Sequence, residues 1–287
     1  MTPVTPVTRW QAEAIWEAVA PILPGFTVEV LPEIDSTNTE LMRRARAGQH
    51  EPTLLVAERQ TAGRGRMGRV WDGGDLGDAG ELPSLMFSLG LPLAPRDWSG
   101  LSLAVGVCVA ESLDPAVRLK WPNDLWLADD RKLGGILVET ASVAPTQPGE
   151  VAPRYVVIGI GINITPRTLG DGGGLSNRPA ALQELVPGID APAALARVAA
   201  ALVATVQAFE HGGFAPFQAR FHARDVLQGR AVRLSDGTDG VAQGVNTHGA
   251  LRVATAQGLQ TITSSEISVR PAAPSAHRGI CTNVAFS

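Results

Sequence analysis

Apolar and polar residues recur in two rhythms along this chain, and the change of rhythm divides it. Up to about residue 225, segments with strand spacing alternate with segments of helical spacing, which predicts an α/β fold with a mixed sheet flanked by helices. From Arg230 the period becomes two, in five short segments separated by turns such as Asp236-Gly237, which is typical of a small β-barrel. We therefore expect an extension at 1–31, a large domain at 32–225, a barrel at 226–271 and a disordered tail at 272–287.

Spacing and helix-breaking residues place the elements. The predicted helices span 9–19, 38–47, 98–113, 191–210 and 214–223, the strands of the large domain span 27–31, 53–58, 84–91, 117–121, 133–139 and 155–164, and those of the barrel span 231–234, 240–245, 251–254, 260–263 and 267–269. Thr37, with Glu40 three residues later, has the form of a capping box for the second helix. The strand at 155–164 is apolar on both faces and should be central, and Gly159 and Gly161 should leave space beside it for a ligand.

Composition narrows the class of protein. The chain has 287 residues, 45% hydrophobic and 18% charged, and its net charge of −4 argues against a general nucleic-acid-binding surface. The single helix at 9–19 is too little for a helix-turn-helix, so we expect no DNA-binding head. We also expect no apolar run of membrane-spanning length and no signal peptide. Cys108 and Cys281 form no disulfide pattern, which favours the cytoplasm.

Glycine and arginine are concentrated at 57–71, in the sequence AERQTAGRGRMGRVW. Glycine lets backbone approach a ligand, and arginine offers a charged planar fork for phosphate or carboxylate. We therefore predict a loop that closes over an anion. Gly63, Gly65 and Gly68 also match the dinucleotide-binding pattern, but the glycine-rich stretch at 72–77 would break the helix which that pattern requires. Considered alone, the segment is also compatible with a flexible, solvated basic loop.

Three further segments carry polar residues beside predicted strands. They are Lys120-Trp121-Pro122-Asn123-Asp124, Lys132-Leu133-Gly134-Gly135-Ile136 and Gly159-Ile160-Gly161-Ile162-Asn163. Taken singly, Lys132 is a typical turn lysine, and Asn123 and Asp124 are typical turn residues after a proline. Ser36 and Thr37 are equally compatible with simple helix capping. The segments in this order are together more specific than any one of them, and they indicate a shared binding site.

Together, these motifs resemble the biotin protein ligases, which include biotin–acetyl-CoA-carboxylase ligases and holocarboxylase synthetases. The resemblance is strong over 34–164 and looser beyond; the segment at 73–81 departs from it by being rich in glycine and acidic residues. It implies a catalytic core similar to that of class II aminoacyl-tRNA synthetases, followed by an SH3-like barrel. It also implies a two-step reaction. Biotin and ATP, with Mg²⁺, form biotinyl-5′-AMP and pyrophosphate, and biotin then passes to a lysine of biotin carboxyl carrier protein.

The resemblance also implies roles for individual residues. The expected catalytic residues are Lys132, Arg64, Arg66 and Asp124, with Lys132 bridging the carboxylate of biotin and the α-phosphate. Biotin is expected to contact Ser36, Thr37, Asn38, Gln60, Gly63, Arg64, Lys132, Gly134, Gly135 and Gly161. ATP or the adenylate is expected to contact Arg64, Arg66, Arg69, Trp71, Lys120, Asn123, Asp124, Lys132 and Asn163, with Trp71 stacking on adenine. Mg²⁺ is expected through the phosphates, with Asp124 as a candidate protein ligand.

Two other functions stay open. A lipoate or octanoate protein ligase or transferase has a similar fold, but it favours a longer apolar slot. An octanoyl transferase also uses a catalytic cysteine, and neither Cys108 nor Cys281 lies in a motif. A non-catalytic biotin-sensing protein would bind biotin without exchanging pyrophosphate. The expected partners are biotin, ATP and the carrier protein, with no DNA and no membrane. The expected state is a cytoplasmic monomer or homodimer.

Overall fold

A computed structural model describes residues 10–74, 77, 81–143, 153–167, 179–263 and 269–271. The helices are α1 (Ala12–Val19), α2 (Thr37–Arg46), α3 (Leu101–Leu113), α4 (Ala191–Gly212) and α5 (Gln218–His222). The strands are β1 (Thr27–Ile34), β2 (Thr53–Gln60), β3 (Ser84–Leu93), β4 (Arg118–Lys120), β5 (Asp124–Trp126), β6 (Lys132–Ser142), β7 (Arg154–Asn163), β8 (Ala231–Leu234), β9 (Asp239–Val245), β10 (Leu251–Thr255), β11 (Gly258–Ile262) and β12 (Val269–Pro271). The predicted disordered tail at 272–287 and residues 1–9 of the extension lie outside the described residues.

The larger sheet has the order β1-β2-β3-β7-β6-β5-β4. β1 runs parallel to β2 and the other neighbours are antiparallel, so the sheet is mixed, as predicted. β7 lies at its centre, and its side chains alternate between two faces. Val156 and Ile158 belong to the main core with α3 and α4, whereas Tyr155 and Val157 pack with Leu41 of α2. Helices therefore cover both faces of the sheet.

Three local predictions were wrong. The residue that caps α2 is Ser36, whose side chain accepts a hydrogen bond from the backbone N–H of Thr39, so Thr37 is the first helical residue. The strand expected at 117–121 is only β4, and β5, directly after it, was not expected. The helix expected at 214–223 is divided into a 3₁₀ turn at Ala215–Phe217 and the short α5. In each case the pattern predicted the element to within a few residues, but it did not show the hydrogen bonds that define where the element begins and ends.

Helix α4 contradicts the expectation that no apolar run is long enough to cross a membrane. It has 22 residues and, by length and composition alone, would suffice. Its Leu195, Val198 and Leu202 are completely buried inside the protein, where α4 packs along α3. Because its apolar face is already covered by protein, α4 is a core helix here.

The smaller sheet, of order β11-β10-β9-β8-β12, is antiparallel and is joined to the larger domain through β4. Leu119 donates its backbone N–H to the carbonyl of Arg224 and accepts the N–H of Val226. Two residues later, the buried indole of Trp121 donates from Nε1 to the carbonyl of Gly249 at 3.0 Å. The smaller domain is therefore attached next to the segment that carries Asn123 and Asp124.

Candidate active site

A cavity of about 150 Å³ lies where the N-terminus of α2, strands β6 and β7, and the segment 63–71 meet. Of the residues predicted for the site, its wall contains all except Gly63, Gly134 and Asn163. Most of the predicted site residues, which come from five separate segments of the chain, therefore converge on one cavity.

Polar side chains from α2 and β2 form one end of the cavity. Ser36, the cap of α2, accepts the N–H of Thr39 at 3.4 Å. Gln60, the last residue of β2, accepts the N–H of Thr37 through Oε1 at 2.7 Å. Both side chains act as acceptors in these contacts. The Ser36 hydroxyl and the Gln60 amide nitrogen therefore remain able to donate to a ligand.

Asn38 lies in the wall, but its amide is bound to the protein. Nδ2 donates to the carbonyl of Leu137 at 3.3 Å and to Oε2 of Glu139 at 2.9 Å, and Oδ1 accepts from Oγ of Ser88 at 2.7 Å. A Cβ at Gly159 would lie 2.1 Å from this Oδ1, so the position has no room for a side chain. Asn38 thus ties α2 to β3 and β6 and shapes the cavity.

A second part of the wall, which we call its cationic end, is rich in positive charge. The Nζ of Lys132 lies 2.7 Å from Oδ1 of Asp124, and the Nζ of Lys120 lies 4.0 Å from Oδ2 of the same carboxylate. Arg66 donates to Oδ1 of Asn123 at 3.2 Å. Burial lowers the pKa of Arg66 below its ordinary value, while the nearby Asp124 charge opposes that shift. The wall contains five cationic side chains and one carboxylate, so it attracts anions.

Residues 63–71 fold over the cavity as a small hairpin, which we call the arginine hairpin. Gly65 donates its N–H to the carbonyl of Arg69 at 2.7 Å, and Trp71 donates to the carbonyl of Gly63 at 2.9 Å. A Cβ at Gly63 would lie 2.4 Å from the carbonyl oxygen of Trp71, so glycine is needed for this close pairing. Arg64 fastens the hairpin to β6 through a 3.2 Å ion pair with Glu139. The segment predicted as a loop is thus a hairpin in the cavity wall, held by defined contacts.

Trp71 packs directly on the central strands. Its Cε2 lies 2.4 Å from where a Cβ at Gly161 would be, and its ring lies 5.8 Å from the Nζ of Lys132. The bare backbone of Gly161 therefore accommodates the indole. This places the ring in the cavity wall between the cationic end and the glycine strand.

The remaining predicted residues support the wall from behind. Gly134 has no room for a Cβ because the carbonyl of Gly161 would lie 2.5 Å from it. Asn163 is buried and donates to the carbonyl of Ala180 at 3.1 Å. The structure therefore does not bring Asn163 to the cavity surface, where the resemblance had implied a nucleotide contact.

Sequence reasoning missed several contributors. Phe87, Ile160 and Val269 line the cavity, and Glu139 and Ser88 bind the residues that do. Phe87 and Ile160 were indistinguishable from core residues within apolar strands. Val269 comes from β12 of the smaller domain, far away in sequence. Ser88 alone gave a usable signal, as a hydroxyl in the middle of the apolar run LMFSLGL.

Comparison with known proteins adds to this geometry. Residues 30–163 match the model of the biotin/lipoate A/B protein ligase family, and residues 228–270 match that of the biotin protein ligase C-terminal domain. The two matches correspond to the larger sheet and the smaller sheet. The predicted fold class, a mixed sheet flanked by helices with a small C-terminal β domain, is confirmed.

Individual relatives are similar over most of the chain. The bifunctional ligase/repressor BirA of Escherichia coli is 35% identical over 87% of this chain and 76% of its own length. A biotin–[acetyl-CoA-carboxylase] ligase of Paracoccus denitrificans is 30% identical over 83% of this chain and 98% of its own. Among solved structures, a biotin protein ligase from Aquifex aeolicus in complex with biotin and ATP has a TM-score of 0.66, with 27% identity over 85% of this chain and 99% of that chain.

Proposed function

The chain belongs to the biotin protein ligases of the biotin/lipoate A/B protein ligase family, and we propose that its cavity joins biotin to AMP and then passes biotin to a protein lysine. The observation that carries the proposal is the two-ended cavity. A polar end at Ser36 and Gln60 is joined to a cationic end at Lys132 and Arg66 under the arginine hairpin. A cyclic urea suits the first end, and two anions that must be brought together suit the second.

In the first step the carboxylate of biotin attacks the α-phosphate of ATP, the new C–O–P bond forms, and pyrophosphate leaves. Both reactants are anionic, so their approach needs nearby positive charge. Lys132 provides it, and the 2.7 Å contact with Asp124 holds its ammonium at the cavity wall. Arg66, fixed by Asn123, adds a second cation that needs no reorganisation during the reaction. Arg69 and Lys120 extend this positive wall toward the phosphates.

The arginine hairpin serves to retain the adenylate. A mixed anhydride is readily hydrolysed, so the site must exclude water until the acceptor lysine arrives. Trp71 closes the wall at Gly161, and the Arg64–Glu139 ion pair fastens the other side of the hairpin. We assign to Trp71 the stacking surface for the nucleotide base, since its ring adjoins the cationic end.

The residues fit a magnesium ion carried by the substrate. No group of three or more His, Cys, Asp or Glu residues that could hold a metal occurs in the described part of the chain. Mg²⁺ usually takes only one or two carboxylates together with substrate phosphates and waters, and Asp124 offers one carboxylate at the cationic end. When bound there, Mg²⁺ would neutralise phosphate charge.

In the second step the acceptor's amine attacks the acyl carbon of biotinyl-AMP, and AMP leaves. We propose biotin carboxyl carrier protein, the biotin-bearing part of acetyl-CoA carboxylase, as the acceptor, because relatives are named as biotin–[acetyl-CoA-carboxylase] ligases. Asp124 is the nearest described carboxylate to Lys132 and is our candidate for receiving the amine's proton. A cytoplasmic location, with no DNA as partner, accords with this role.

The test compares two neighbouring basic residues. Lys132→Ala should lower biotin-dependent ATP–pyrophosphate exchange by about a hundredfold or more, since it removes a charge aimed at the reacting oxygens. Arg131→Ala is the matched control, because Arg131 is ion-paired to Glu184 outside the cavity wall. Its exchange should stay within about twofold of the wild-type rate.

The second measurement is mass spectrometry of a purified carrier domain after incubation with this protein, biotin and MgATP, which should show one added biotinyl group. Wild-type exchange in Lys132→Ala would remove Lys132 from the mechanism. Binding of biotin without any exchange in the wild-type protein would overturn the enzymatic assignment.

A further inference from the structure

Ser88 lies in the middle of β3, completely buried and behind the polar end of the cavity. Its Oγ is 2.7 Å from Oγ1 of Thr37 and 2.7 Å from Oδ1 of Asn38. A serine hydroxyl has a single hydrogen, so it donates to only one of these oxygens. Which one it chooses decides the direction of every hydrogen bond around it.

Asn38 settles the first choice. Its other amide atom lies 3.3 Å from the carbonyl of Leu137 and 2.9 Å from Oε2 of Glu139, and both of these are acceptors. That atom must be the amide nitrogen, since the reverse orientation would place an oxygen against a carbonyl and a carboxylate. Oδ1 therefore faces Ser88 and has no hydrogen to offer. Ser88 must donate to Asn38.

Thr37 then has a fixed direction too. With its hydrogen given to Asn38, Ser88 accepts, so Thr37 donates inward across the 2.7 Å contact. The competing acceptor, Oε1 of Gln60, is 3.3 Å away and already accepts the N–H of Thr37 at 2.7 Å. If Thr37 donated to Gln60 instead, two buried oxygens would face each other at 2.7 Å with no hydrogen between them, which is costly.

We infer that Ser88 is a specificity-determining positioning residue that makes the Thr37 hydroxyl an acceptor toward the cavity. The hydrogen of Thr37 points at Ser88, so only lone pairs face the ligand. Ser36 and Gln60 supply donors beside it. This pattern of one acceptor next to two donors complements a ring N–H next to a carbonyl, as in a cyclic urea. The inference rests on the proposed function, in that biotin's ureido ring occupies this end.

The probes are biotin and its two cyclic carbamates, in each of which a ring oxygen replaces one ureido N–H. For the wild-type protein, the carbamate that puts oxygen opposite Thr37 should bind at least roughly tenfold more weakly than biotin, because two acceptors then face each other. Ser88→Ala leaves the Thr37 hydroxyl free to turn. It should weaken biotin about fivefold and shrink the biotin-to-carbamate ratio to about two.

Calorimetric titration gives the dissociation constants, and the exchange rate at saturating biotin should change less than about twofold. Cysteine is similar in size to serine but is a weak donor, so Ser88→Cys should give a biotin-to-carbamate ratio between those of the wild-type protein and Ser88→Ala. This variant serves as the test if the alanine variant does not fold. Ser112→Ala is the control, since Ser112 lies on α3 outside the cavity wall. On a Thr37→Val background, Ser88→Ala should change biotin affinity less than twofold, because the acceptor through which it acts is gone.

An unchanged ratio in both Ser88 variants, with wild-type biotin binding intact, would overturn the role of Ser88 alone. Failure of the wild-type protein to bind biotin would instead overturn the proposed function. A large loss of exchange rate at saturating biotin would show that Ser88 supports the fold of the site generally and does not set hydrogen-bond direction.

Discussion

Replacing Gly161 with alanine tests whether the contact between Trp71 and the bare backbone of β7 holds the arginine hairpin in place. The added Cβ would lie 2.4 Å from Cε2, 2.6 Å from Cζ2 and 2.9 Å from Nε1 of the indole. Carbon atoms in contact normally lie about 3.5–4.0 Å apart. The ring must therefore retreat by about 1 Å, and the hairpin that carries it must lift.

The magnitude follows from the cost of overpacking. Forcing one extra methyl group into a filled position costs about 1–3 kcal/mol. If that cost falls on the closed hairpin, kcat/KM for adenylate formation should drop roughly five- to 150-fold, at 1.4 kcal/mol per factor of ten. The neighbouring strand offers a matched control. A Cβ at Gly135 would lie 3.2 Å from the flexible end of Lys132 and 3.7 Å from Trp71, so Gly135→Ala should cost less than about threefold.

The assay is biotin-dependent ATP–pyrophosphate exchange below saturating biotin, together with limited trypsin digestion. Trypsin cuts after arginine, and the arginine hairpin carries three of them. Gly161→Ala should lose exchange and be cut faster within 63–71 than the wild-type protein. Exchange within twofold of wild type would refute the reasoning. So would a loss of exchange with an unchanged rate of cutting, because the methyl group would then act on the ligand and leave the hairpin in place.

Two further predictions concern residues away from the reacting atoms. Arg167 donates to the carbonyl of Asp72 at 2.8 Å and to Oγ of Ser84 at 3.0 Å, and so holds the C-terminal side of the arginine hairpin. Arg167→Met should release that side, lower kcat/KM for exchange about tenfold and speed tryptic cutting there. Burial raises the pKa of Asp225 to about 6 from an ordinary 3.8; its stabilising contribution is thus complete below about pH 3.8 and is lost as pH rises through 6. Asp225→Asn should therefore raise the free energy of unfolding by up to about 3 kcal/mol at pH 8 and by less at pH 5 in urea titrations. An equal gain at both pH values would contradict the buried charge.

The strands of both sheets could be predicted because their signal is local. The run YVVIGIGINI is apolar on both faces only if helices cover both, which is how β7 is packed. β5 escaped prediction because three residues, Asp124–Trp126, are too few to show a period, and their strand identity depends on pairing with β6. The cap of α2 was misplaced by one residue because Ser36 and Thr37 are both good caps, and only the bond to Thr39 separates them.

The site was predictable as a set of segments but not as a set of contacts. Motifs at 63–71, 120–124 and 132–135 converge on one cavity because strands deliver each of them. The behaviour of Asn163 depends on the carbonyl of Ala180, 17 residues later in the chain, so no local pattern shows it. Asn38 is similar, since its amide is hydrogen-bonded to Ser88 on β3 and Glu139 on β6. Long-range hydrogen bonds decide whether a polar side chain faces a ligand or the protein.

The way the smaller domain is attached has a consequence for exchanging domains between such proteins. The carbonyl of Gly249 anchors Trp121, a Cβ at Gly249 would come within 2.7 Å of the Cα of Gly100, and Val269 forms part of the cavity wall. The smaller domain therefore forms part of the cavity and cannot be removed without changing it. Replacing this module with the corresponding one from a relative would therefore also replace one side of the cavity, together with the contacts that Leu119, Trp121 and Gly100 make with it.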